Sequence, residues 1–136
     1  MKQAFLSIMI LSFLSCSGVK QINLVPDKDS YKVNKIDSKN DWYFIYASRN
    51  DSTFMIVSKK VEVTNPDWEK IRPDNYYNFK LSSIIPVING VKMIPVNYLD
   101  FAGIELDKQT YVNINPDKGI FDIYSTDNLK GLFFIK

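Results

Sequence analysis

The apolar residues of this chain come in short runs rich in Val, Ile, Tyr and Phe, and Pro, Asn, Asp or Gly interrupts them about every eight to twelve residues. No segment keeps apolar residues at i, i+3, i+4 and i+7 over three turns, as an amphipathic helix would require. A chain patterned in this way buries its apolar surface by pairing strands. The expectation is an all-β domain, a small β-sandwich or barrel-like fold of about seven to nine short antiparallel strands.

The clearest unit spans Trp42 to Lys60. Trp42 to Ser48 reads as a strand, Arg49-Asn50-Asp51-Ser52 as a turn, and Thr53 to Ser58 as the returning strand. Both arms are apolar on both faces, which predicts a central position buried on two sides. Asn75 to Leu81 alternates, with Tyr77, Phe79 and Leu81 on one face and Tyr76, Asn78 and Lys80 on the other. Ser83 to Ile88 and Val91 to Val96 flank Asn89-Gly90, a type I′ turn signal, while Pro86 and Pro95 place these arms at an edge. Further strands are expected over Gly103–Leu106, Tyr111–Ile114, Ile120–Ser125 and Leu132–Ile135. Val19–Val25 and Tyr31–Ile36 are weaker candidates. Thr126 to Gly131 reads as a turn, as does Asn115 to Gly119. Asn65 to Ile71 has the makings of one helical turn, with Asn65 as cap, Pro66 at the first position and Pro73 as the stop.

Composition narrows the chemistry. The chain holds one cysteine and no histidine. That removes Ser-His-Asp and Cys-His catalysis, and zinc sites built on His or several Cys. The glycines are scattered singly, so no phosphate-binding loop exists. A net charge of +2 from interspersed residues lacks the concentrated basic footprint that nucleic acid demands. No cofactor is expected. Ser58-Lys59 lies within a strand, so the two side chains point to opposite faces and cannot form a catalytic pair.

The first residues carry a different signal. Lys2 precedes an eleven-residue apolar run, Ala4 to Leu14, broken only by Ser7 and Ser12. The run is too short to cross a bilayer as a helix and suits the core of a secretory signal. It ends in Phe13-Leu14-Ser15-Cys16, which resembles the lipobox of bacterial lipoproteins. The looser likeness of the hairpin Trp42–Lys60 and of Asp127 to Leu132 points to short lipoproteins of uncharacterised function. The resemblance implies a signal peptide over 1–15, a lipid attached to Cys16, a short tether over 16–20 and one mainly-β domain over 16–136. Removing 15 of the 136 residues leaves a mature chain of 121, enough for one core. It also implies a bilayer partner and a place in the cell envelope. Ser17 and Gly18 carry no acidic retention signal, which favours the outer membrane. An ordinary secretory signal and an uncleaved buried helix are the other readings of the same run.

Aromatics make up 14% of the chain, and their flat faces with polar handles suit sugars and partner surfaces. Trp68 and Tyr76 are the binding candidates, with Tyr43, Tyr46 and Tyr98 as further members of such a surface. High strand propensity and core filling account for the same residues. Asp27-Lys28-Asp29-Ser30 and Asn115 to Gly119 have acids at close spacing, but both read as polar turns before they read as calcium loops. The functional expectation is a tethered, non-enzymatic binding or interaction module with an envelope protein or glycan partner. The alternatives are an envelope glycan hydrolase using paired carboxylates, which needs two acids about 5–10 Å apart across a cleft, and a structural subunit of an envelope complex.

Overall fold

The computed structural model describes residues 26–94 and 102–136. Val19–Val25, Cys16, Pro95 and Tyr98 lie outside them. The described chain is all-β. Its strands are β1 (Tyr31–Lys39), β2 (Trp42–Arg49), β3 (Ser52–Lys59), β4 (Glu69–Lys70), β5 (Tyr76–Tyr77), β6 (Leu81–Ser83), β7 (Val87–Ile88), β8 (Val91–Lys92), β9 (Gly103–Asp107), β10 (Thr110–Asn113), β11 (Ile123–Thr126), β12 (Leu129–Lys130) and β13 (Phe133–Phe134). More strands appear than expected because several are pairs of only two residues.

The expected hairpin is the centre of the fold. β2 and β3 pair in continuous antiparallel register from Trp42↔Lys59 to Arg49↔Ser52. Asn50 and Asp51 turn the chain with φ of 48° and 60°, a conformation that Asn and Asp tolerate and that matches strand twist. β1 lies beside β2, and the weakly signalled Tyr31–Ile36 proves to be the start of the longest strand. The main sheet runs β5-β1-β2-β3-β11-β6. β3 and β11 are parallel, with Ile123 opposite Met55 and Tyr124 opposite Ile56, which corrects the expectation of antiparallel pairing throughout. Residues 60–122 separate β3 from β11 in the chain, so no tight hairpin turn constrains their direction.

The two edges of this sheet belong to one extended run. Tyr76 and Tyr77 pair with β1, and Leu81 to Ser83 pair with β11. The sheet therefore curls until residues 76–83 join its ends. Tyr77, Phe79 and Leu81 turn inward as the alternation predicts, the first two buried and Leu81 partly so. Between the paired ends no strand among the described residues neighbours residues 78–80. The Asn128 side chain takes that place: its amide donates to the Asn78 carbonyl at 2.9 Å and its oxygen accepts from the Lys80 N–H at 3.1 Å.

The interior holds Tyr31, Val33, Ile45, Ala47, Ile56, Tyr77 and Phe79, joined by Ile71, Leu129 and Phe134. The last three come from the chain around a small sheet, β12-β13-β4. Two expectations fail there. Asn65 to Ile71 forms no helical turn: Asn65 accepts from the Asp67 N–H at 3.0 Å in a side-chain turn. The chain then extends because Glu69 and Lys70 pair with β13. Thr126 to Gly131 is not all turn, since Leu129 and Lys130 pair with β13. The helical piece among the described residues is instead a 3₁₀ turn at Pro116–Lys118, capped by Asn115 and ended by Gly119 at φ 71°.

The Asn89-Gly90 hairpin forms as expected, with φ of 52° and 78°, but as a separate two-stranded ribbon, β7–β8. Val87, Ile88 and Val91 on it are exposed.

Candidate functional site

The outer face of β1, β2 and β3 carries the site, and one irregularity in β1 creates it. Val33 pairs with Ala47, but Lys35 pairs with Tyr46, so Asn34 is an extra residue on the β1 side. A bulge of this kind reverses the side-chain alternation beyond it. Tyr31 and Val33 point inward before the bulge, and Ile36 packs against the interior after it. Lys35, Asp37 and Lys39 are thereby sent outward, opposite Tyr46, Phe44 and Trp42 respectively. Without the bulge these three charged residues would share the inner face with Tyr31 and Val33. The sequence signal was present: the apolar positions 31, 33 and 36 break strict alternation at Asn34.

The β9–β10 ribbon covers part of this outer face. Val112, with Ile104, Leu106 and Ile114, packs against Phe44, Met55 and Val57. Its turn is fastened to the β1–β2 turn by polar contacts. The Asn40 amide donates to the Gln109 carbonyl at 3.0 Å and to Thr110 Oγ1 at 2.9 Å, and the Trp42 indole N–H donates to Asp107 Oδ2 at 2.6 Å. That indole bond, first among several, holds the Asp107 carboxyl below the usual carboxylate range. Close approach of the ribbon's own strands requires Gly103, where a Cβ would collide with the Val112 carbonyl.

Where the ribbon stops short, a cleft of about 470 Å³ remains between β1 and β10. Phe44, Tyr46, Met55 and Ile120 supply its apolar floor, Tyr111 and Asn113 one wall. The exposed Lys35, Lys39 and Lys118 stand at its rim with Asp37. Lys35 Nζ meets Asp37 Oδ2 at 2.7 Å and lies 5.8 Å from the Tyr46 ring centre. The hydrogen bond that Lys35 donates to Asp37, then the Asp37 charge, raises the Lys35 pKa. Burial, then the Asp37 charge, raises that of Tyr46, which stays protonated as a hydroxyl donor. Three ammonium groups face one carboxylate over an apolar floor. This arrangement can hold an anionic ligand with apolar faces, and its size is in the range of small-molecule sites.

The structure distributes the sequence candidates unevenly. Tyr46 lines the cleft. Tyr43 faces the other way and packs against the interior, with Lys60 Nζ 5.4 Å from its ring centre. Trp68 is half-buried just before β4, and Tyr76 is exposed on β5; neither lines the cleft. Among the described residues, six other aromatics build the core: Tyr31, Phe54, Tyr77, Phe79, Tyr124 and Phe134 form a chain of ring contacts. Asp27 to Ser30 is a turn in which Ser30 N–H donates to the Asp27 carbonyl at 2.9 Å. The acid that sequence reading overlooked is Asp122. It is buried and accepts from Ser83 Oγ and from its neighbour Ile123 N–H, both at 2.8 Å, and from Lys92. These bonds join β6, β8 and β11 and make Asp122 a structural tie. No family model, curated protein or solved structure matches the chain.

Proposed function

We propose that this protein is a lipid-anchored binding module of the bacterial cell envelope, with its ligand received in the cleft between β1 and β10. The observation that carries the binding role is the bulge at Asn34, which sets charged residues of β1 beside an apolar floor. Bulges recur where a sheet re-aims side chains toward a site. The lining includes one carboxylate, Asp37, engaged by Lys35, whereas hydrolysis by paired acids needs a second across the cleft. This favours a non-enzymatic role.

The anchor is argued from Phe13-Leu14-Ser15-Cys16. Acyl chains on Cys16 contribute about 0.8 kcal/mol per buried CH₂, and two or more give stable attachment without a spanning helix. Ser17 and Gly18 after the cysteine, neither of them acidic, favour the outer membrane.

Two experiments test the parts separately. Cys16→Ser is expected to release the protein from the membrane fraction or to leave the precursor uncut; mass spectrometry of membrane-bound protein with an unmodified Cys16 overturns the anchor. For the cleft, ligand-observed NMR of small aromatic and sugar fragments is expected to give hits on the full chain that disappear in Asn113→Trp, where an indole fills the opening. A complete absence of hits, or hits indifferent to that change, removes the binding site.

A further inference from the structure

We infer that the cleft binds an acidic oligosaccharide, with sugar faces against Tyr46 and the floor and carboxylates at the lysines of the rim. The inference rests on the proposed role of the cleft as a binding site and specifies its ligand. Three observations lead to it.

The first is charge. Lys35 is engaged by Asp37 at 2.7 Å. Among the described residues, Lys39 and Lys118 have no ion-pair partner. Three lysines against one aspartate leave an excess of two positive charges around the opening.

The second is how those charges are spread. Lys35 and Lys39 lie on the same face of β1, four residues apart, which at about 3.3 Å per residue separates their backbones by about 13 Å. Lys39 pairs with Trp42 at one end of the three-stranded face. Lys118 belongs to the 3₁₀ turn whose next residue, Gly119, approaches Thr53. Thr53 pairs with Ser48 toward the other end of β2. A compact ligand with one acid group would meet one of these lysines. A chain with acid groups at intervals meets them in succession.

The third is the floor. Phe44, Tyr46 and Met55 present rings and a thioether between the charges, the surface on which the C–H faces of sugar rings pack, while the Tyr46 hydroxyl and the Asn113 amide offer hydrogen bonds. Single-stranded nucleic acid is also an elongated anion. The near-neutral, interspersed charge of the whole chain disfavours it, since nucleic-acid binding draws on a broad basic surface.

The test is calorimetric titration of the full chain, held in phosphatidylcholine nanodiscs, with empty nanodiscs as reference. Trigalacturonate is the probe. Its methyl ester keeps the body and removes the charges, and a thymidine oligonucleotide is the third arm. Trigalacturonate is expected to bind at least tenfold more tightly than the ester. The double variant Lys39→Ala/Lys118→Ala should lose that advantage with ester binding unchanged. Lys28→Ala/Lys130→Ala, with the same loss of charge away from the cleft, should keep it. Equal binding of acid and ester, equal loss in both double variants, or tighter binding of the oligonucleotide overturns the inference and leaves the binding site standing. Failure of every probe, together with failure of the fragment screen, removes the site as well.

Discussion

The inner and outer faces of β1, β2 and β3 use the same strands for opposite ends. On the inner face Val33, Ile45, Ala47 and Ile56 are wholly buried, and every neighbour in the cluster is an aliphatic or an aromatic. On the outer face Phe44, Met55 and Val57 are also buried, packed with the β9–β10 ribbon, but the ribbon stops short and Phe44, Tyr46 and Met55 border the lysine-rimmed cleft. A closed sheet surrounds the first face, so its residues serve packing alone. A short ribbon covers the second, so part of it is left to meet a ligand. The bulge at Asn34 decides which face each residue of β1 joins.

The strongest way to break this contrast is to give the inner face a charge like those of the outer one, by Val33→Lys. The substitution would bury an unpaired charge in the interior cluster, at a cost of several kcal/mol, whereas deleting Asn34 makes Val33 and Lys35 neighbours opposite Ala47 and Tyr46 and keeps Lys35, Asp37 and Lys39 outside. By circular dichroism the substitution is expected to lose cooperative unfolding and the deletion to keep it. A substituted protein that melts like the parent, or a deletion that does not fold, would show that the bulge does not control the faces.

Truncation sharpens the comparison next. Ile56→Ala leaves a sealed cavity and is expected to cost about 3–5 kcal/mol, whereas the space vacated by Met55→Ala joins the open cleft and should cost about 2 kcal/mol. Urea midpoints at constant slope measure both. Equal losses would mean that the outer floor is as enclosed as the interior.

The seam of the curled sheet comes third. Asn128→Ala removes the side chain that bridges Asn78 and Lys80, at about 1–2 kcal/mol. Hydrogen exchange at the Lys80 amide should accelerate in the same variant. Unchanged protection there would place the closure elsewhere.

The smallest effect concerns the clamp that holds the ribbon over the outer face. Asp107 has its pKa lowered, first by the Trp42 indole. A carboxyl with a depressed folded-state pKa stabilises the fold above its unfolded pKa, and that contribution fades as pH falls through the folded value. Trp42→Phe should therefore lower stability slightly at neutral pH and flatten the decline between neutral and acid pH. Denaturant midpoints measured from pH 7 down to pH 3 would show it. A decline as steep as the parent's would assign the acid sensitivity to other carboxylates.

Much of the strand content was legible because short-range chemistry controls it. Asn50-Asp51 and Asn89-Gly90 turn the chain as their types predict, and apolar residues on both faces of Trp42–Ser48 foretold a buried central strand. Two similar segments show where this reading stops. Asn65-Pro66-Asp67 and Asn115-Pro116-Asp117 both place an Asn side chain on the backbone N–H groups that follow. The second continues into a 3₁₀ turn ended by Gly119, while the first extends because β13 offers Glu69 and Lys70 a partner. The candidate site was less legible. Of the aromatics singled out, Tyr46 reached the cleft and Tyr43 turned inward. The lysines of the rim come from positions 35, 39 and 118, too far apart in the chain for any local pattern to unite them.

Residue order alone settled the all-β class, the hairpins and the catalytic chemistries that lack their side chains, because each depends on backbone preference or on the presence of a functional group. The parallel alignment of β11 with β3, the joining of the sheet's edges through residues 76–83, and the meeting of β1 with β10 around a cleft arose only on folding. Those outcomes depend on which distant apolar surfaces cover one another, a choice made by the packing of the whole domain.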